Sequence, residues 1–119
     1  MIIMEFVERP VLIVVRSKPF GTITFAEGWR AAVGMFGMDH ESHILFIGEG
    51  VYGLLKDQDM MHIRMFKNTF ESFDGIIWAS KASLEERNIS ADEIFENVEI
   101  LDEEGVAKAF IENDIAVPF

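Results

Sequence analysis

The chain has 119 residues, half of them hydrophobic, with 21 acidic and 10 basic side chains and no cysteine. That length suits one domain, residues 1–119, with a self-supporting core, and the apolar content excludes a disordered chain. The missing cysteine excludes a disulfide framework, a thiolate metal site and sulfur carried as thiol or persulfide, and the net charge of −11 argues against direct nucleic-acid binding, which needs a basic patch.

The charge is uneven: residues 1–70 hold 8 acids and 7 bases, whereas residues 71–119 hold 13 and 3. An acidic half reads first as a solvated face, and alternatively as a surface that steers a basic partner protein. The opening Met1-Ile2-Ile3-Met4-Glu5 has neither a basic n-region nor a cleavage site, so no signal peptide is expected. Apolar runs are far too short for a membrane span. A cytoplasmic protein without membrane contact is the expectation.

In chain order, Val11-Leu12-Ile13-Val14-Val15 is an unbroken β-branched run, the signature of a strand buried on both faces. A loop punctuated by Pro19 and Gly21 follows. Thr24 and Glu27 have capping-box spacing and predict a helix start; Ala26, Trp29, Val33 and Phe36 then recur on one face, with Gly37 as the stop. Gly28 and Gly34 weaken that helix and point to close packing on a sheet. Ser42-His43-Ile44-Leu45-Phe46-Ile47 reads as a second buried strand closing on Gly48-Glu49-Gly50, followed by a short apolar helical turn over residues 51–55. Residues 60–73 predict an amphipathic helix with Ile63, Phe66, Phe70 and Phe73 inward. Residues 75–79 form a third strand, and the pairs Ser83/Glu86 and Ser90/Glu93 predict two short capped helices. Residues 98–101 make a fourth strand, with Glu99 marking a less covered position. A last helix over 103–113 has Val106, Phe110 and Ile111 inward, and residues 115–118 form a final strand that Pro118 confines to an edge or an end. This alternation predicts a three-layer α/β/α domain with a mainly parallel five-stranded sheet, of flavodoxin-related architecture. Its first strand is interior and its strand-to-helix loops share one edge.

Ligands of open α/β sheets bind at that edge. The candidate ligand or interface loops are therefore Ser17, Lys18, Pro19, Phe20, Gly21 and Thr22, then Gly48, Glu49 and Gly50, with Ala79 and Ser80 after the third strand. The first loop carries hydroxyls, a lysine and a glycine ahead of a helix, a setting that attracts anions. It lacks the glycine spacing of a P-loop or dinucleotide site. A flavodoxin-like FMN loop is conceivable, but plain turn chemistry accounts for it, so no cofactor is expected. His40 and His43 form H-x-x-H flanked by Asp39 and Glu41, but in a polar connection at the opposite end of the sheet, so no metal is expected. Ser80 and Ser83 lack the glycines of a nucleophile elbow and a partnered histidine, so no catalytic residue and no enzyme activity are expected. The many methionines and phenylalanines favour an oligomer over a monomer.

Taken together, Lys18-Pro19-Phe20-Gly21, Glu27-Gly28, the segment Ile44 to Tyr52 with Leu54-Leu55, and Trp78-Ala79-Ser80-Lys81-Ala82-Ser83-Leu84-Glu85-Glu86-Arg87-Asn88 resemble the DsrE/DsrF superfamily, within it the TusC/DsrF branch, over roughly residues 10–118. The resemblance implies a small α/β/α subunit of a hetero-oligomer engaged in sulfur relay, either to tRNA 2-thiolation or in sulfur oxidation. In DsrE/TusD-type subunits a cysteine just after the third strand accepts persulfide sulfur. Ungapped alignment through Leu84 puts that position at Ala79, with Ser80 next, and a persulfide requires a thiolate. The resemblance thus implies a non-catalytic companion that assembles with DsrE/TusD- and DsrH/TusB-like subunits. The alternative is a homo-oligomeric DsrE-fold protein that binds a small ligand, nucleotide or anion outside sulfur relay.

Overall fold

The computed structural model describes residues 8–119; the Met1–Glu5 stretch lies outside them. The strands are β1 (Pro10–Val15), β2 (Glu41–Phe46), β3 (Ile76–Ser80), β4 (Val98–Leu101) and β5 (Ile115–Pro118). The helices are α1 (Thr24–Gly37), α2 (Arg64–Ser72), α3 (Lys81–Glu86) and α4 (Glu103–Glu112), with 3-10 turns at Gly48–Leu54 and Ala91–Glu93. All strands are parallel, in the order β4-β3-β2-β1-β5. Pairing on both sides explains why β1 is buried from Val11 to Val15.

That order dictates the layers. From β1 to β4 each crossover steps the same way, and right-handed connections then place α1, α2 and α3 on one face. Among the described elements only the return from β4 to β5 runs backward, so α4 is the one described helix on the other face. Alternate residues of β1 serve the two sides. Val11, Ile13 and Val15 join the large core with Phe25, Trp29, Phe46 and Phe70, while Leu12 and Val14 join a small one with Leu45 and Ala109. Trp29 anchors the large core, its ring 5.5 Å from Phe46 and edge-on to Phe70 at 5.9 Å.

Several helix signals resolve differently from expectation. Ile23 occupies the N-cap of α1 in helical conformation and its carbonyl accepts from the Glu27 amide at 2.9 Å, so Thr24 is already inside the helix and the Thr24/Glu27 box does not form. Glu27 pairs instead with Arg30 at 3.7 Å. The buried face of α1 is Phe25, Gly28, Trp29 and Ala32; Ala26, Val33 and Phe36 flank it. Gly28 is needed for close packing, since a Cβ there would lie 2.9 Å from the Val15 side chain, whereas Gly34 faces open space. Gly37 ends the helix, but the left-handed residue beyond it is Asp39 (φ 60°). The helix expected over 60–73 is shortened to α2, with Ile63 and Phe70 buried and Phe73 left exposed. On α4 the inward residues are Val106 and Ala109. Small Ala109 lets the helix approach Leu12 and Val14, which turns Phe110 to its flank and Ile111 out to solvent. The Ser90/Glu93 box forms as expected, on a single 3-10 turn.

Among the described residues no helix is long and apolar enough to cross a membrane.

Candidate functional site

The loops after β1, β2 and β3 meet at the carboxyl edge of the sheet. Gly48 opens the β2 loop at φ +53°, and Gly50 presses so close to the Val15 carbonyl that no side chain fits there. This contact seats the 3-10 turn directly on the end of β1. In the β1 loop, Gly21 takes φ +100°, Pro19 is buried, and Lys18, Phe20 and Thr22 are exposed. The Ser17 hydroxyl is buried without a hydrogen-bond partner. His62 secures the loop: its Nε2 donates to the Pro19 carbonyl oxygen at 3.1 Å, and its ring lies 5.1 Å from that of Phe20.

The β3 end is closed differently. Ala79 is fully buried and Ser80 is 8% exposed. The Ser80 hydroxyl accepts from the Ser83 amide at 3.2 Å and so caps α3, which corrects the expected Ser83/Glu86 box. Ser83 is recruited elsewhere: its hydroxyl accepts from the Gly48 amide at 2.9 Å, joining the β2 and β3 loops. Arg87 completes the junction. It donates to the Ser83 carbonyl at 3.1 Å, pairs with Glu49 at 3.8 Å, and lies over the Tyr52 ring at 5.9 Å.

Of the sequence-predicted residues, Lys18, Pro19, Phe20 and Glu49 come together with Tyr52 around an open cavity of about 440 Å³. Ala79 and Ser80 do not line it; they stand behind the Ser83 junction. The importance of Ser83, Arg87 and His62 to this edge escaped the sequence reading, because each acts through a partner distant along the chain. The Ser80 and Ser83 hydroxyls, His62 and Arg87 are engaged in structural contacts, whereas the Ser17 hydroxyl has no partner. No histidine is hydrogen-bonded to either serine, and no group of three or more potential metal ligands occurs among the described residues.

The H-x-x-H segment divides as its loop position suggests. His40 accepts from the Arg9 amide at 3.2 Å. His43 is buried in β2, stacked on Trp78 and donating to Asn113 Oδ1 at 2.8 Å, while Asn113 itself donates to the Ala109 carbonyl at 2.7 Å.

A small parallel α/β domain, with its loops gathered at the carboxyl edge and a closed hydroxyl junction after the third strand, is the class this geometry defines. The chain belongs to the DsrE/DsrF-like family, whose model matches residues 9–119. No curated protein matches it. Among solved structures it is similar to the ychN protein from E. coli, with 17% identity, a TM-score of 0.80, and coverage of 95% of this chain and 100% of that one. It is also similar to MTH1491, a protein of unknown function from Methanobacterium thermoautotrophicum, with 15% identity, a TM-score of 0.65, and coverage of 94% and 99%. At such identities the likeness is one of fold.

Proposed function

We propose that this chain is a non-catalytic companion subunit of the TusC/DsrF kind, working inside the cell in a sulfur relay that serves tRNA 2-thiolation or sulfur oxidation. It assembles with cysteine-bearing DsrE/TusD-type and DsrH/TusB-like subunits, which perform the sulfur chemistry. One observation carries the reading: the chain has no cysteine, and the position of the family's sulfur acceptor is occupied by a buried alanine and a serine engaged in helix capping. Persulfide formation requires a thiolate, which neither a methyl nor a hydroxyl group can supply. Assembly is supported by large apolar side chains left exposed at the same edge, Phe20 and Ile23 on the β1 loop and Met61 and Met65 around His62. Side chains of this kind are enriched at association surfaces.

The test is co-expression with the cysteine-bearing DsrE-type subunit of the same genome, followed by size-exclusion chromatography and intact mass spectrometry. A stoichiometric complex is expected, with added sulfur on the partner alone. Failure to form any complex, or a covalently held sulfane atom on the purified lone chain, overturns the reading. The alternative, a homo-oligomeric ligand-binding protein, is favoured by the cavity between Lys18 and Tyr52 and would leave the lone chain as the whole assembly.

A further inference from the structure

A second cavity, on the α1–α3 side, breaks the electrostatic pattern of the molecule. In a chain of net charge −11 with only 10 bases, a hollow of about 290 Å³ collects Lys56, Arg64 and Lys67, and no acid lines it. Gln58, Met60, Asn68 and Phe95 form the rest of its wall. The cations are gathered against local preference. Arg64 is the first residue of α2, whose N-terminus has no side-chain cap and no acid in its first turn. A helix N-terminus carries partial positive charge and favours anions, so a cation there is unfavourable, with Lys56 adding to the same potential. Local rules broken in this way point to function when a bound group would repair them.

The walls are also fixed in place. Gln58 donates to the Tyr52 and Leu55 carbonyls at 2.9 and 3.0 Å, and the Lys56 amide donates to the Glu93 carbonyl at 2.9 Å. Lys67 is held by its pair with Glu71 and stands 4.4 Å over the Phe95 ring. Of the three cations, Lys67 already has a carboxylate partner in Glu71, which leaves Lys56 and Arg64 for an incoming anion. Glu71 accepts from Lys67 and Asn97, Asp59 accepts from the Met61 amide, and Asp92 accepts from Ser90 while feeling the charge of Lys56. Arg64 has no ion partner among the described residues.

We propose that this hollow is a binding site for a small tetrahedral oxyanion, a phosphate or sulfate group, held by Arg64 and Lys56 with Lys67 behind. Guanidinium and ammonium donors with a helix N-terminus are the groups that recognise such anions. The volume suits one oxyanion with a small substituent rather than a whole nucleotide. The hollow lies next to Met61 and Met65 of the assembly surface, but its test uses the lone chain, so it can fail without the companion role failing.

The test is a titration of the full chain with inorganic phosphate, and separately sulfate, followed by amide NMR shifts at constant ionic strength against a chloride control. Saturable shifts confined to residues 56–58 and 64–68 are expected, with the affinity weakened at least about tenfold in Lys56→Gln/Arg64→Gln. A second variant, Arg64→Glu, is expected to lose the response while its thermal midpoint in chloride is kept or raised, since an acid suits that helix end. Shifts that do not saturate, or that persist unchanged in both variants, overturn the proposal.

Discussion

Ser80 and Ser83 show how two identical side chains three residues apart take on different work. Ser80 caps a six-residue helix, a role in which the hydroxyl contributes about 1 kcal/mol and water can replace it in part. Ser83 accepts the amide of Gly48, a half-buried donor at the start of a tight turn, so its loss strands that N–H. A stranded donor costs about 1–3 kcal/mol. Ser83→Ala is therefore expected to lower stability more than Ser80→Ala, by urea denaturation with linear extrapolation. The reverse order would mean that the junction between the β2 and β3 loops is not held through Ser83. Both hydroxyls are thus engaged in the architecture of the edge.

At the scale of elements, α2 is tied to the start of β4 through Glu71, which takes the Lys67 ammonium and the Asn97 amide at 2.8 Å. Burial opposes ionisation of Glu71, but the hydrogen bonds from Lys67 and Asn97, with the Lys67 charge, outweigh it and hold the carboxyl below its ordinary value of 4.5. A depressed carboxylate stabilises the fold above its unfolded value, and the contribution is lost as pH falls through the folded one. Stability should thus drop below about pH 4.5, and Glu71→Gln should be less stable at neutral pH yet show a flatter decline on the acid side. Parallel stability–pH curves would remove Glu71 from the account. Asp92 and Glu93, both lowered by hydrogen bonds from Ser90, titrate equally in the two proteins and cancel in the comparison. The strands were legible in the sequence to within a residue or so, because unbroken β-branched runs state burial on two faces directly. Helix ends were not. The Thr24/Glu27 and Ser83/Glu86 spacings satisfy a local rule, but Ile23 starts α1 by its backbone alone and a glycine 35 residues away claims Ser83. The inward face of α4 departs from its pattern for a related reason: pattern favours the bulky Phe110, whereas packing on Leu12 and Val14 needs the small Ala109 to come close. The candidate edge was visible as loops at strand ends, but His62 and Arg87, which fasten it, are tertiary partners that periodicity does not reveal.

For the whole molecule, the charge imbalance becomes spatial. Residues 71–119, with their 13 acids and 3 bases, supply β3, β4, β5, α3 and α4, so the excess is spread over both faces of the sheet, with α3 on one and α4 on the other. Asp102, Glu103 and Glu104 open α4 in succession, with Asp102 accepting the Gly105 amide at 2.8 Å. They suit the positive end of the helix but add to the repulsion across the molecule. Since exposed charges are screened within about 10 Å at 0.1 M salt, raising sodium chloride from about 0.02 to 0.5 M should raise the thermal midpoint by relieving that repulsion. A fall would show that attractive ion pairs outweigh it.

The placement of β1 between β2 and β5 also has a consequence for biosynthesis. β1 is translated first of the strands and β5 last, about a hundred residues apart, which at about 5–20 residues per second separates them by roughly 5–20 s. Throughout that interval one flank of the most apolar strand in the protein has no hydrogen-bonding neighbour, the kind of edge that recruits another chain. A nascent polypeptide of this design depends on chaperone cover, or on rapid closure by its final strand, to reach the folded state without aggregating.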